Sequence, residues 1–174
     1  MNNTMISIGE YIKANLAAFG LTTADELQLV EKSKIPLPNG AKRLILKQLP
    51  NLPDSRGEAF GNLWAGNQTK ERFETQIEIE LKHRAGDLDQ DFLWNKPRAH
   101  RDTVYATLAG PTRAGLKIPR YDYTNPDAPV VAGEIWFVVD KERPSPIEDP
   151  IEDPNEPANK SIFMTWVVRW EKPF

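Results

Sequence analysis

The run from Phe73 to Lys82 constrains this chain more than any other segment. Phe73, Thr75, Ile77, Ile79 and Leu81 alternate with Glu74, Gln76, Glu78, Glu80 and Lys82. Successive side chains on a strand point to opposite faces, so the run predicts a strand with one buried apolar face and one charged, wet face. A parallel strand covered on both sides would be apolar throughout. The alternation therefore requires an antiparallel or mixed sheet with helices on one side only. Ile77 and Ile79 are assigned to the core. Glu78 and Glu80 read as a solvent face and not as a catalytic acid and base, since no apolar pocket surrounds them.

The remaining elements follow from the same kind of pattern. Ile8, Tyr11, Ile12, Leu16 and Phe19 recur at helical spacing and predict a helix from Ser7 to Phe19, stopped by Gly20. Thr23 and Glu26 form a capping-box pair, which predicts a second short helix running to Lys32. Pro36, Pro38, Asn39 and Gly40 mark a turn before a strand at Arg43 to Leu49. Asn95 is a candidate cap for a third helix, with Lys96 and Pro97 in its first turn and Gly110 as its stop. Leu116 to Tyr123, interrupted by Pro119, reads as an edge strand. Glu134 to Asp140 and Ile162 to Trp170 are β-prone and are expected to be antiparallel neighbours. The expected fold class is α+β: a small mixed or antiparallel sheet with two or three helices packed on one face, in a single domain over residues 1–174. Two long irregular connections interrupt it. Residues 50–70 carry two prolines and three glycines, and residues 142–160 contain a tandem PIED with six acids against two bases.

Composition narrows the function. With 174 residues, 40% hydrophobic and 27% charged, the chain can bury a core, and its formal net charge of -3 gives no general attraction to nucleic acid or anionic membrane. There is no cysteine, hence no disulfide or thiolate chemistry. No basic leader with an apolar run opens the sequence, and no stretch approaches a membrane span, so a soluble protein without membrane contact is expected.

Candidate chemistry is sparse. His83 and His100 are the two histidines, neither in a nucleophile context, and packing or surface roles explain them. Asp87, Asp89 and Asp91 open like a calcium loop, but Phe92 and Arg98 stand where that loop needs Gly and Glu; helix-start acids are the simpler reading. Gly110 to Gly115 lacks the Lys-Ser/Thr pair of a phosphate loop and is read as a helix stop with a turn. Glu148, Asp149, Glu152 and Asp153 sit between prolines that hold them extended, with no cation cage implied. No catalytic residue, metal or cofactor is predicted. The candidate partner contacts are Phe60 and Trp64, aromatic anchors in a Gly-rich loop, Arg56 and Arg113, able to face DNA or an acidic partner, and the acidic quartet Glu148, Asp149, Glu152 and Asp153.

The element order resembles the tail terminator, or tail completion, proteins of long-tailed bacteriophages. The matching pieces are IGEYIKANLAAFG, the strand FETQIEIELKH, the helix PRAHRDTVYATLAG, and the closing strands GEIWFVVD and SIFMTWVVRWEKPF. The resemblance implies a non-enzymatic virion subunit, assembled in the host cytoplasm, that forms a homo-oligomeric ring, commonly a hexamer. Such a ring caps the tail tube, meets the head connector and lets DNA pass unread. The 50–70 segment and the PIED segment are additions to the usual small members. The alternatives are a neck or head-completion protein of the same particle, a cellular protein-binding module, and an enzyme centred on Asp87, Asp89 and His100.

Overall fold

A computed structural model describes residues 3–29, 36–49, 70–86, 92–139, 151–152 and 158–173. Helix α1 (Asn3–Ala14) leads through 3-10 turns at Leu16–Phe19 and Ala24–Glu26 into β1 (Leu27–Leu29) and β2 (Lys42–Gln48). Then come β3 (Lys70–Arg84), α2 (Phe92–Ala109), β4 (Lys117–Asp122), β5 (Val130–Val138), β6 (Ile151–Glu152) and β7 (Asn159–Pro173). The strands form one sheet in the order β1-β2-β3-β7-β5-β4, with β6 pairing β7 off that path. All pairs are antiparallel except β1 with β2, so the sheet is mixed and the fold is α+β.

Register places the apolar residues in rows across one face. Leu44, Leu81 and Ile162 are opposite one another, as are Leu46, Ile79 and Met164, then Ile77 with Trp166, and Phe137 with Val168. Every one of these is at most 2% exposed. Helix α2 lies over this face through Val104 and Leu108, and Tyr105 packs on the Trp166 ring at 5.5 Å. Helix α1 contributes Met5, Ile8 and Ile12 and reaches β1, β2 and β4. It therefore touches strands from both ends of the sheet, which must curl around the helical layer. At the β1 side a Cβ on Gly9 would stand 2.6 Å from Leu29 Cδ1, so the close approach depends on the missing side chain.

The opposite face carries a different set of rows. Ile45, Glu80 and Phe163 are aligned, then Lys47, Glu78 and Thr165, then Gln76, Val167 and Val138, then Glu74, Arg169 and Trp136. These acids are partnered as well as wet. Lys47 Nζ lies 3.1 Å from Glu80 and 3.6 Å from Glu78, Ser161 Oγ donates to Glu80 at 2.9 Å, and Arg169 Nε donates to Glu74 at 3.0 Å.

Several local expectations are corrected. The first helix begins at Asn3, earlier than expected, and breaks at Asn15 into a separate 3-10 turn. Glu26 does accept from the N–H groups of Thr22 and Thr23, but the capping box closes a single 3-10 turn and Leu27–Leu29 is not helical; residues 30–32 of the expected helix lie outside the described residues. Leu27 is extended instead, because parallel pairing of Leu27 and Leu29 with Leu44 and Leu46 outweighs a weak local preference. Helix α2 starts at Phe92, so Asn95 is not its cap and Pro97 lies inside it, forfeiting one helical hydrogen bond while its ring is buried. The acidic connection is shorter than its composition indicates: Ile151–Glu152 forms β6, and Asn159 and Lys160 are buried in β7.

Replacing Ile77 by Asp is expected to cost about 4 kcal/mol or more, because it strands a charge in the fully buried row with Trp166. Glu80→Lys, which loses Lys47 and Ser161 as partners, is expected to cost about 1–2 kcal/mol. Urea unfolding of both variants checks the order. A larger loss for Glu80→Lys would mean that the assigned faces are exchanged.

Candidate functional site

At the His83 end of β3, the core gives way to a chain of polar contacts. His83 continues the inward alternation after Leu81, and His100 lies one turn before Val104 on the buried stripe of α2. Each histidine is 6% exposed. His83 Nε2 and His100 Nδ1 are 2.8 Å apart, and His100 Nε2 is 2.8 Å from the carbonyl oxygen of Phe19. A carbonyl can only accept, so His100 carries its proton on Nε2. Its bare Nδ1 then accepts from the Nε2–H of His83, and one chain of hydrogen bonds joins β3, α2 and the 3-10 turn in neutral rings.

The turn is shaped to allow this. Gly20 follows Phe19 in the left-handed conformation (φ 67), and its N–H bonds Ala17. A Cβ there would sit 2.8 Å from His100 Cδ2, so both backbone angle and space exclude a side chain. Thr107 Oγ1, two turns along α2 from His100, donates to the Ala18 carbonyl and secures the same turn.

Above the two rings opens a cleft of about 480 Å³ lined by Thr22, Glu26, Lys42, Lys96, His100 and Thr103, with His83 at its base. Burial pushes His83 down from 6.5 to about 3, and His100, Lys42 and Lys96 act in the same direction. His100 is also lowered, chiefly by burial, against the pull of the Phe19 carbonyl. Glu26, also in the lining, accepts from the backbone N–H groups of Thr22 and Thr23.

A second polar seam joins α1 to the edge strand β4. Arg120, 7% exposed, lies 4.7 Å over the Trp170 ring, and its Nε donates to Thr4 Oγ1 at 3.1 Å. Trp170 in turn stacks on Phe73 at 4.4 Å. Burial lowers the Arg120 pKa while Asp122 draws it back. Ser7 Oγ donates to the Asn3 carbonyl and accepts the Tyr121 N–H at 2.9 Å, so a helix side chain occupies an outward backbone donor of the edge strand.

Of the predicted contact residues, Arg113 is described. It is exposed in the turn between α2 and β4, with φ 53. Glu152 belongs to β6, its backbone opposite Lys160. Arg56, Phe60, Trp64, Glu148, Asp149 and Asp153, together with Asp87, Asp89 and Asp91, lie outside the described residues. Nothing described brings Arg113 to Glu152. The pairing of His83 with His100 was missed because each was judged alone. The signal was present, since both continue apolar periods: Ile79, Leu81, His83 at spacing two, and His100, Val104, Leu108 at spacing four.

No protein-family model matches the chain, and no curated protein matches it. Among the described residues no helix is long and apolar enough to cross a membrane.

The neutral histidine chain has a consequence for pH. Between pH 6.5 and about 3 the unfolded chain binds a proton at residue 83 that the folded chain refuses. Its contribution to stability is thus complete above pH 6.5 and is lost as pH falls toward 3. Gln at 83 can still donate to His100 but does not titrate. Melting temperatures of His83→Gln should therefore fall less steeply than wild type from pH 7 to pH 4; equal slopes would refute the linkage.

Proposed function

We propose that this protein is a structural assembly subunit of the tail terminator kind: a virion protein whose copies form a ring that caps a phage tail tube and meets the head connector. The observation that carries this reading is the second face of the sheet. Among the described elements the helices all lie on one side, while the other side presents half-buried Ile45, Phe163, Val167, Val138 and Trp136 between ion pairs. Apolar side chains set among charges suit a broad protein contact better than a small-molecule pocket. The order of a leading amphipathic helix, paired strands, a helix on the sheet and antiparallel closing strands agrees with the resemblance drawn from the sequence.

Edges are less suited to subunit contact than the face. β4 carries Pro119 and has its Tyr121 N–H taken by Ser7, and β1 is three residues long. Short or blocked edges disfavour strand addition from another chain. Strand β5 opens with Val130 and Val131, each 64% exposed and paired with Asp122 and Tyr121, which gives the β4–β5 hairpin an apolar patch beside its loop for a neighbour or for the tube.

A ring of identical subunits is the expected state in solution, each interface burying about 800 Å² per partner as for a stable contact. Sedimentation equilibrium gives the subunit number, and electron microscopy with tubes built from the cognate tail-tube protein shows whether rings sit at tube ends. A monomer that stays monomeric with tubes present would reject the terminator reading in favour of a binding module.

A further inference from the structure

We propose that the loop end of the β4–β5 hairpin in one copy docks end-on in a pocket at the base of the same hairpin in the next copy, with Asp127 against Lys117 and the valine patch against Trp136 and Val138. The inference rests on the reading of the protein as a ring subunit and names the contact between neighbours. The loop end has the form of a rigid arm. Pairing of β5 with β7 covers residues 135–138, so residues 130–134 reach past it with β4 as their partner. Helix α1 braces that part, since Asn3 Nδ2 donates to Asp122 at 3.1 Å and Ser7 accepts the Tyr121 N–H. The loop itself is exposed from Thr124 to Pro129 but internally fixed. Asp122 accepts from the N–H and hydroxyl of Thr124, the Asn125 side chain accepts the Asp127 N–H at 3.3 Å, and the Asn125 carbonyl accepts the Ala128 N–H at 3.2 Å. Pro126 and Pro129 restrict the backbone further. An arm already held in one shape loses little entropy on docking. Val130 and Val131, as successive strand residues, clothe opposite sides of the arm, and an end-on approach to a concave receptor brings both against its walls.

Such a receptor lies at the other end of the hairpin. Lys117 is opposite Trp136 in register, with its Nζ 5.5 Å from the ring centroid. Together with Phe73, Val138, Val139 and Arg169 they line a pocket of about 410 Å³, on the β5 side of the mixed face. Arg169 is engaged by Glu74, so Lys117 is the group that selects an acid; contact with a ring face leaves its charge intact. Among the described residues of the lining there is no carboxylate, and the exposed Glu134, two residues before Trp136, lies outside it. Asp127, with apolar residues beside it, complements this combination of a cation and aromatic and aliphatic walls. A hairpin cannot fill its own pocket, because Val131 and Val138 are roughly 23 Å apart along one strand. Each copy thus offers one arm and one pocket on different parts of its surface. A contact of that kind is heterologous, repeats from copy to copy, and closes into a ring when the rotation allows.

Sedimentation equilibrium of mixed variants tests the contact. Val130→Asp with Val131→Asp in one chain damages the arm and leaves the pocket; Lys117→Glu with Trp136→Ala damages the pocket and leaves the arm. Each variant alone should be monomeric, and the equimolar mixture should give a dimer and nothing larger, because one intact contact remains. Pairing in the mixture also shows that both variants are folded. Lys117→Glu alone should weaken assembly at least about tenfold by opposing two acids, and adding Asp127→Lys to the same chain should restore it. Arm and pocket variants that keep the wild-type oligomer mass overturn the contact and leave the ring reading standing. So do variants that stay monomeric when mixed while melting as wild type does. An arm variant that forms rings but no longer reaches tube ends assigns the patch to the tube and equally overturns the contact. A wild type that stays monomeric, alone and with tubes, overturns the ring reading and this contact with it.

Discussion

The pairing of β3 with β7, running without interruption from Lys70 opposite Pro173 to Arg84 opposite Asn159, is the contact from which the rest of the molecule hangs. Both strands are fifteen residues long, and each has a further strand on its outer side, β2 beside β3 and β5 beside β7. Their register decides which residues are core. Ile77 opposite Trp166 and Ile79 opposite Met164 are fully buried only in this alignment, and a one-residue slip of either strand would carry its apolar set to the other face. Since one face is apolar and fully buried while the other mixes apolar side chains with ion pairs, the helices cover the first.

Where the helical layer meets the ends of the sheet, polar groups take over from apolar ones, and His83, His100 and Arg120 each have specific partners. At one end His83 and His100 share a proton donor and acceptor and bind the turn after α1. Near the β4 edge, Arg120 is accommodated by Thr4, by the face of Trp170 and by the nearby Asp122. Such buried polar contacts contribute modestly when made and cost much when broken, so they specify position more than they add stability. They hold α1, its following turn and α2 in one arrangement against the curled sheet.

The mixed face and the histidine cleft are separated by the sheet itself. The mixed apolar and charged face, with Phe163, Val167 and Val138 among the ion pairs of Lys47 and Arg169, has the breadth for contact with protein. The cleft lined by Lys42, Lys96 and the histidines is concave and small, and lies on the helical side. Chemistry at one can be altered without rebuilding the other, because neighbouring residues along a strand point to opposite faces.

The strands were legible in the sequence because a half-buried strand writes its two faces as an alternation of period two. The 73–82 run, the antiparallel neighbours at 134–140 and 162–170, and the edge strand containing Pro119 all follow from that rule, as does the α+β class. Glycines 20 and 110, both left-handed in the structure, were equally readable as helix stops. Elements decided by distant partners were not. Leu27–Leu29 is a strand because Leu44 and Leu46 lie beside it, although a capping box precedes it. β6 exists through pairing with Ser161 and Lys160 in a segment whose composition reads as loop. The candidate site belongs largely to this second class: the apolar periods through Leu81 and Val104 mark His83 and His100 as inward-facing, but not as partners. Lys42, His83 and Lys96 are ordinary residues along the chain, and they form a cleft only because β2, β3 and α2 converge. Local sequence records the preference of a segment, whereas convergence is set by register and packing across the whole sheet.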